Sequence, residues 1–146
     1  MKSRSIPEPG AKETDGVDPH RPQVSVGHVV LHTSRMDETV RFMLAVGLRS
    51  VFSGPEVSVL ELRGGTHLLL FHSEAAVAGE AAFDLMVDDL HSMHHRLAER
   101  GYTPSPIEHR PDIGHETFDV VEPSGTRIRF FSSHATCEVA KEFPCG

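Results

Sequence analysis

The strongest constraint on this fold is an internal repeat. Gly65-Thr-His-Leu-Leu-Leu-Phe71 returns as Gly125-Thr-Arg-Ile-Arg-Phe-Phe131, sixty residues on (65 to 125), with Gly, Thr and the closing Phe in the same places. Each copy reads as a glycine turn followed by a strand whose alternate side chains share a face. One face carries His67, Leu69 and Phe71 in the first copy and Arg127, Arg129 and Phe131 in the second. The other face, Leu68 and Leu70 or Ile128 and Phe130, is apolar in both and is expected to lie against helices.

The repeat extends upstream of both strands. Residues 24 to 33 read as a strand with His28, Val30 and His32 on one face. Ser34 can cap a helix on which Met36, Val40 and Met43 recur at helical spacing, and Gly47 ends it. Three more strands follow, over 48–52, 57–63 and 66–72, separated by Ser53-Gly-Pro55 and Gly64-Gly65. The unit is βαβββ. It begins again at Ala82, where 82–87 reads as a strand with Asp84 and Met86 on the face of Ala82. Asp88-Asp89 then caps a helix with Leu90, Met93 and Leu97 inward, closed by Gly101. Subtracting 54 from Ala82, Leu90, Leu97 and Gly101 gives His28, Met36, Met43 and Gly47, so the elements keep register. The offset of sixty at Gly125 assigns the six extra residues to the Pro-rich loop 103–115, which carries His109 and His115 and is expected to reach over the ligand face.

These boundaries give a disordered leader (1–22), one domain (23–133) of two modules (24–73 and 81–132), and a polar tail (134–146). The 14 Lys and Arg against 21 Asp and Glu argue against nucleic acid as a partner. No apolar run approaches the roughly 18 to 20 residues of a membrane span, and no signal-peptide core is present. Cys137 and Cys145 lie together in the tail and read as reduced thiols, which points to the cytoplasm. Eleven histidines require metal binding to be weighed.

Gly27-His28-Val-Val-Leu31 with its helix, Val87-Asp-Asp-Leu90 through Gly101, and the turn Glu122-Pro-Ser-Gly-Thr-Arg-Ile128 together resemble the vicinal oxygen chelate superfamily, which includes glyoxalase I, bleomycin-resistance proteins and extradiol dioxygenases. The resemblance spans about residues 24 to 132. It implies an α+β fold in which tandem βαβββ modules form a cupped, mostly antiparallel sheet with helices outside, and it implies a homodimer. Catalytic relatives hold a divalent metal in the cup through the first and fourth strands of each module. Carried across by position, the four ligands fall on His28, Leu69, Ala82 and Arg129. Leucine and alanine offer no lone pair, and a guanidinium is permanently cationic. A divalent ion ~4 Å from Arg129 would meet repulsion of about 8 kcal/mol at an effective dielectric of ~20. No cofactor is therefore expected, with a divalent metal as the alternative.

Several side chains keep two readings. His28 is either a general base or a histidine lining the pocket. Arg129 either pairs with Asp84 in place of the metal or is free to grip a ligand's carboxylate or phosphate. A displaced metal site would draw on His28, His67 and Asp84, or on Glu61. His91 and His95, four apart on the second helix, read as a solvated pair. The cup face is mostly apolar with a few polar points: His28, Val30, His32, His67, Leu69, Phe71, Asp84, Met86, Arg127, Arg129 and Phe131. The expected function is metal-free binding of a small molecule. The alternatives are a metal-independent lyase or isomerase with His28 as acid/base, a metal-dependent lyase, isomerase or dioxygenase with a displaced site, and an interaction module with a filled cup.

Overall fold

The computed structural model describes residues 19–132. The first module runs β1 (His28–Thr33), α1 (Met36–Val46), β2 (Arg49–Ser53), β3 (Val57–Glu61), a 3-10 turn at Arg63–Gly65, and β4 (His67–His72). The second runs β5 (Gly79–Glu80), β6 (Leu85–Val87), α2 (Leu90–Glu99), β7 (Glu108–Arg110), β8 (His115–Val121) and β9 (Thr126–Ser132). The strands form two sheets. The first has the order β1-β4-β3-β2, with β1 parallel to β4 and the other pairs antiparallel. In the second, β9 lies at the centre, antiparallel to β8 and parallel to the short edge pieces β5 and β6, with β7 outside β8. This is an α+β fold of two βαβββ modules.

Alternation along the repeated strands assigns the core as the sequence implies. Leu68 and Leu70 on β4, and Ile128 and Phe130 on β9, are buried. They meet the inward faces of the helices, Met36, Phe42 and Met43 on α1 and Leu90, Met93 and Leu97 on α2, in one apolar cluster. Phe118 stacks on Phe130 at 4.9 Å, and Phe42 meets Tyr102 edge-on at 4.9 Å. The modules are also tied by polar groups. Arg96 donates to the carbonyls of Ala45 (3.0 Å) and Val46 (3.5 Å), satisfying acceptors that the end of α1 leaves unpaired.

Gly47 ends α1 in the left-handed region (φ 119°), as its position predicts. Asp89 caps α2, accepting the Ser92 N–H at 3.0 Å. Three expectations are corrected. The first strand begins at His28, not Val24, because its partner β4 begins at His67 and supplies no ladder further back. The N-cap position of α1 is Arg35 rather than Ser34, and Thr33 Oγ1 takes the Arg35 N–H at 2.9 Å. The strand expected over 82–87 covers only Leu85–Val87, because pairing with β9 stops at Glu80 and resumes at Leu85. Cys137, Cys145, most of the leader and the tail from 134 lie outside the described residues. No helix among the described residues is long and apolar enough to cross a membrane.

Candidate functional site

On each sheet, the face turned away from the helices carries the candidate side chains. Across the first sheet, cross-strand register sets His28 beside His67, His67 beside Glu61, and Glu61 beside Arg49. The His28 and His67 rings are 6.2 Å apart. Arg49 closes the row by donating its Nε–H to Glu61 at 2.7 Å. Further along, His32 lies against Phe71 at 5.9 Å. Val30 stands between His28 and His32 on this face of β1, 40% exposed.

The second sheet is organised by Arg129. Register places it opposite Asp119 on β8, and the two make a two-pronged pair, Nε to Oδ1 at 2.9 Å and Nη2 to Oδ2 at 3.2 Å. Hydrogen bonding to Asp119, with its charge, holds the guanidinium pKa above its ordinary value. Arg129 is thus a fixed cation, oriented by its neighbour. Arg127, two residues back on the same face, has a looser contact, 3.5 Å to Glu80. The expected Arg129–Asp84 pair does not form, because Asp119 is the direct cross-strand neighbour and takes the guanidinium first.

The break between β5 and β6 shapes the space around these charges. From Arg127↔Glu80 to Phe130↔Leu85, β9 advances three residues (127 to 130) while the edge advances five (80 to 85). The two extra residues loop out, as in an enlarged β-bulge. Ala81 and Phe83 pack toward the core while Asp84 stays exposed. The loop and the β9 face beneath it enclose a recess of about 290 Å³, lined by Glu80 to Asp84 with Asp119, Arg127 and Arg129. A second recess of about 320 Å³ shares Glu80, Ala81 and Ala82 and is bordered across the modules by Val30, Leu31 and His32.

The recesses sort the expected site residues. Asp84, Arg127 and Arg129 line the first, and Val30 and His32 the second. Met86 borders a separate groove with Arg96 and Met93. His28, His67, Leu69, Phe71 and Phe131 line none of the three. The loop 103–115 does not simply arch over this face: its residues 108–110 form β7, which extends the second sheet. His109 is exposed on that strand and His115 packs against Phe131 at 4.9 Å. His91 and His95 turn to different carboxylates, Glu116 (3.1 Å) and Glu99 (3.0 Å). Two lining residues, Glu80 and Asp119, escape the sequence reading. Alternation against Phe118 and Val120 marks Asp119 as facing away from the core, but its pairing with Arg129 depends on register between strands.

No family model and no curated protein matches the chain. Solved structures do. A lactoylglutathione lyase from Agrobacterium tumefaciens superposes with a TM-score of 0.64 at 18% identity, covering 79% of this chain and 98% of that one. The bleomycin resistance determinant encoded on the transposon Tn5 gives 0.61 at 20% identity, covering 75% and 98%. A glyoxalase/bleomycin resistance protein/dioxygenase superfamily member from Sphaerobacter thermophilus DSM 20745 gives 0.64 at 20%, covering 75% and 98%. The chain has the glyoxalase/bleomycin resistance/dioxygenase fold.

Within that fold, the usual metal position can be tested on the donors present. His28 is on β1, Leu69 on β4, Arg129 on β9, and Ala82 in the loop between β5 and β6. One imidazole is the whole donor set, and the cation at Arg129 is anchored in place by Asp119. These residues do not fit a divalent ion. A displaced site finds no better support, since no group of three or more His, Cys, Asp or Glu among the described residues is arranged to hold a metal. His28 and His67 share the first sheet while Asp84 lies beside the second. What the second-sheet recess does offer is guanidinium donors and carboxylate acceptors around a small apolar wall, which suits recognition of a polar molecule.

Proposed function

We propose that this protein is a cytoplasmic homodimer that binds a small molecule without the divalent metal used by catalytic proteins of this fold. The observation that carries this reading is the Arg129–Asp119 pair. A permanent cation, oriented by two hydrogen bonds, stands at the position to which the family resemblance assigns an anionic metal ligand. A pocket built this way selects by shape, hydrogen bonding and charge. A solved bleomycin resistance determinant has a similar fold, and sequestration of a small molecule is the activity proposed for this chain.

Dimerisation is supported by the open faces. Val51 and Phe52 on the edge strand β2, and Met86 and Val121 beside the second sheet, are each at least half exposed. An edge strand bearing large apolar side chains is stabilised by a partner.

A metal-independent lyase or isomerase with His28 as acid/base is the other reading of the same cup. Its specific support is the His28–His67 neighbourhood, although neither ring borders a recess.

Elemental analysis of the purified protein, with native mass spectrometry of the intact dimer, tests the proposal. We expect substoichiometric metal and a retained or exchangeable organic ligand. One equivalent of Ni, Zn or Fe per chain, with turnover that depends on it, would refute the reading.

A further inference from the structure

We propose that the recess under the β5–β6 loop recognises a zwitterion, taking the ligand's carboxylate on Arg127 and its ammonium on Asp84. The inference rests on the metal-free binding reading and adds the ligand class.

The two modules differ along one sheet edge. In the first, β1 pairs with β4 without interruption from His28↔His67 to Thr33↔His72. In the second, the equivalent edge loops out by two residues over β9. Residues 80–84 of that departure form one wall of the recess, Asp84 among them.

The charges inside are unevenly used. Three carboxylates (Glu80, Asp84, Asp119) face two guanidinia (Arg127, Arg129). Arg129 and Asp119 satisfy each other with two hydrogen bonds, so neither is the principal ligand group. Arg127 keeps one contact, 3.5 Å to a Glu80 carboxylate that is 76% exposed, which competes weakly with an incoming anion. Asp84 has no hydrogen bond or ion pair among the described residues, and it is exposed in the recess wall.

Arg127 contacts Glu80 and makes no ion pair with Asp84 among the described residues. Arg127 sits at the level of Glu80, whereas Asp84 immediately precedes Leu85, the partner of Phe130. That separates them by two residues along β9, on the order of 7 Å at the rise of a strand. Attachment points that far apart favour a carboxylate and an ammonium joined by a chain of three or more carbons over the shorter α-amino acid. Such a chain would lie along Ala81, Ala82 and Phe83, the apolar part of the lining. A purely anionic ligand would face the Asp84 and Glu80 carboxylates unmatched. A purely cationic one would leave Arg127 without use.

The test is a ladder of ω-amino acids from glycine to 6-aminohexanoate, with pentanoate and pentylamine as singly charged controls for 5-aminopentanoate, measured by calorimetry on the full chain. Expected is binding that strengthens from 4-aminobutanoate onward, with 5-aminopentanoate at least tenfold tighter than either control. Asp84→Asn should reduce it to the level of pentanoate, and Arg127→Gln to that of pentylamine. Both side chains are exposed, and unchanged thermal melting would show that the variants fold. Equal binding of a control, no binding by any member of the ladder, or insensitivity to both substitutions would overturn the proposal. Native mass spectrometry separates the two readings. A purely anionic or uncharged cargo in metal-free protein would reject the zwitterion but keep metal-free binding, whereas a stoichiometric metal would remove the reading beneath it.

Discussion

Thr39 on α1 donates its hydroxyl hydrogen to Glu122 Oε1 at 2.8 Å, joining the modules through a carboxylate that is 1% exposed. Glu122 also accepts the backbone N–H groups of Ser124 and Thr126, each at 3.0 Å, and the Ser124 hydroxyl. Every partner is a donor. The carboxylate is thus held by four hydrogen bonds, with no cation among the described residues paired to it, at the turn that leads into β9.

Because all four partners donate, an amide in this place would set an N–H group against at least one of them. Glu122→Gln is expected to destabilise the fold by about 2 kcal/mol, and Thr39→Val by about 1 kcal/mol. Urea unfolding of the two single variants and the double variant should give a coupling of at least about 0.5 kcal/mol. Strict additivity would show that the link between modules contributes nothing of its own.

Arg129→Glu restores the residue type found at a metal position but leaves Leu69 and Ala82 without donors. The variant is expected to bind less than a tenth of an equivalent of Ni or Zn after dialysis, measured by elemental analysis. It should also lose the Arg129–Asp119 pair and place two carboxylates side by side, lowering the thermal midpoint. Tight stoichiometric metal binding by this single variant would contradict the donor argument.

Phe130 is fully buried and stacked on Phe118, whereas Arg127, three positions earlier on β9, has its side chain 51% exposed. Phe130→Ala should cost about 3 to 5 kcal/mol of stability by leaving a cavity. Arg127→Gln should change stability by less than about 0.5 kcal/mol. Chemical denaturation of the two variants would reveal whether the two faces of the strand separate folding from binding in this way.

Asp89 caps α2, and its pKa is lowered chiefly by the Ser92 backbone N–H, with the Ser92 hydroxyl adding to it. A depressed folded-state pKa means that this contribution is complete above the ordinary aspartate range and is lost as pH falls through the lowered value. Asp89→Asn should therefore flatten part of the acid limb of the stability curve and leave the neutral-to-alkaline limb unchanged. Thermal melts from pH 2 to pH 8 would detect this, and an unaltered acid limb would show that the cap carries no pH dependence.

The repeat, the helix stop at Gly47, the Asp89 cap and the inward faces of both helices could be read from the chain because each rests on local pattern. Period 2 or 3.6 selects a face, and a glycine or cap residue sets an end. That Leu69, Ala82 and Arg129 offer no metal-binding atom was legible for a similar reason, since it holds wherever they point. Pairing between strands was not local. Arg129 met Asp119 rather than Asp84 because register across β8 and β9 put those two opposite one another, and no spacing within either strand records that choice. The two-residue excess in the loop between β5 and β6 was hidden as well, since Ala82-Phe-Asp-Leu-Met-Val87 has the alternation of an unbroken strand. What the sequence by itself determined is which side chains turn away from the core and that those at the metal positions do not form a donor set. Only tertiary structure decided which charges neutralise one another and where a recess opens, because both follow from the alignment of segments distant in the chain.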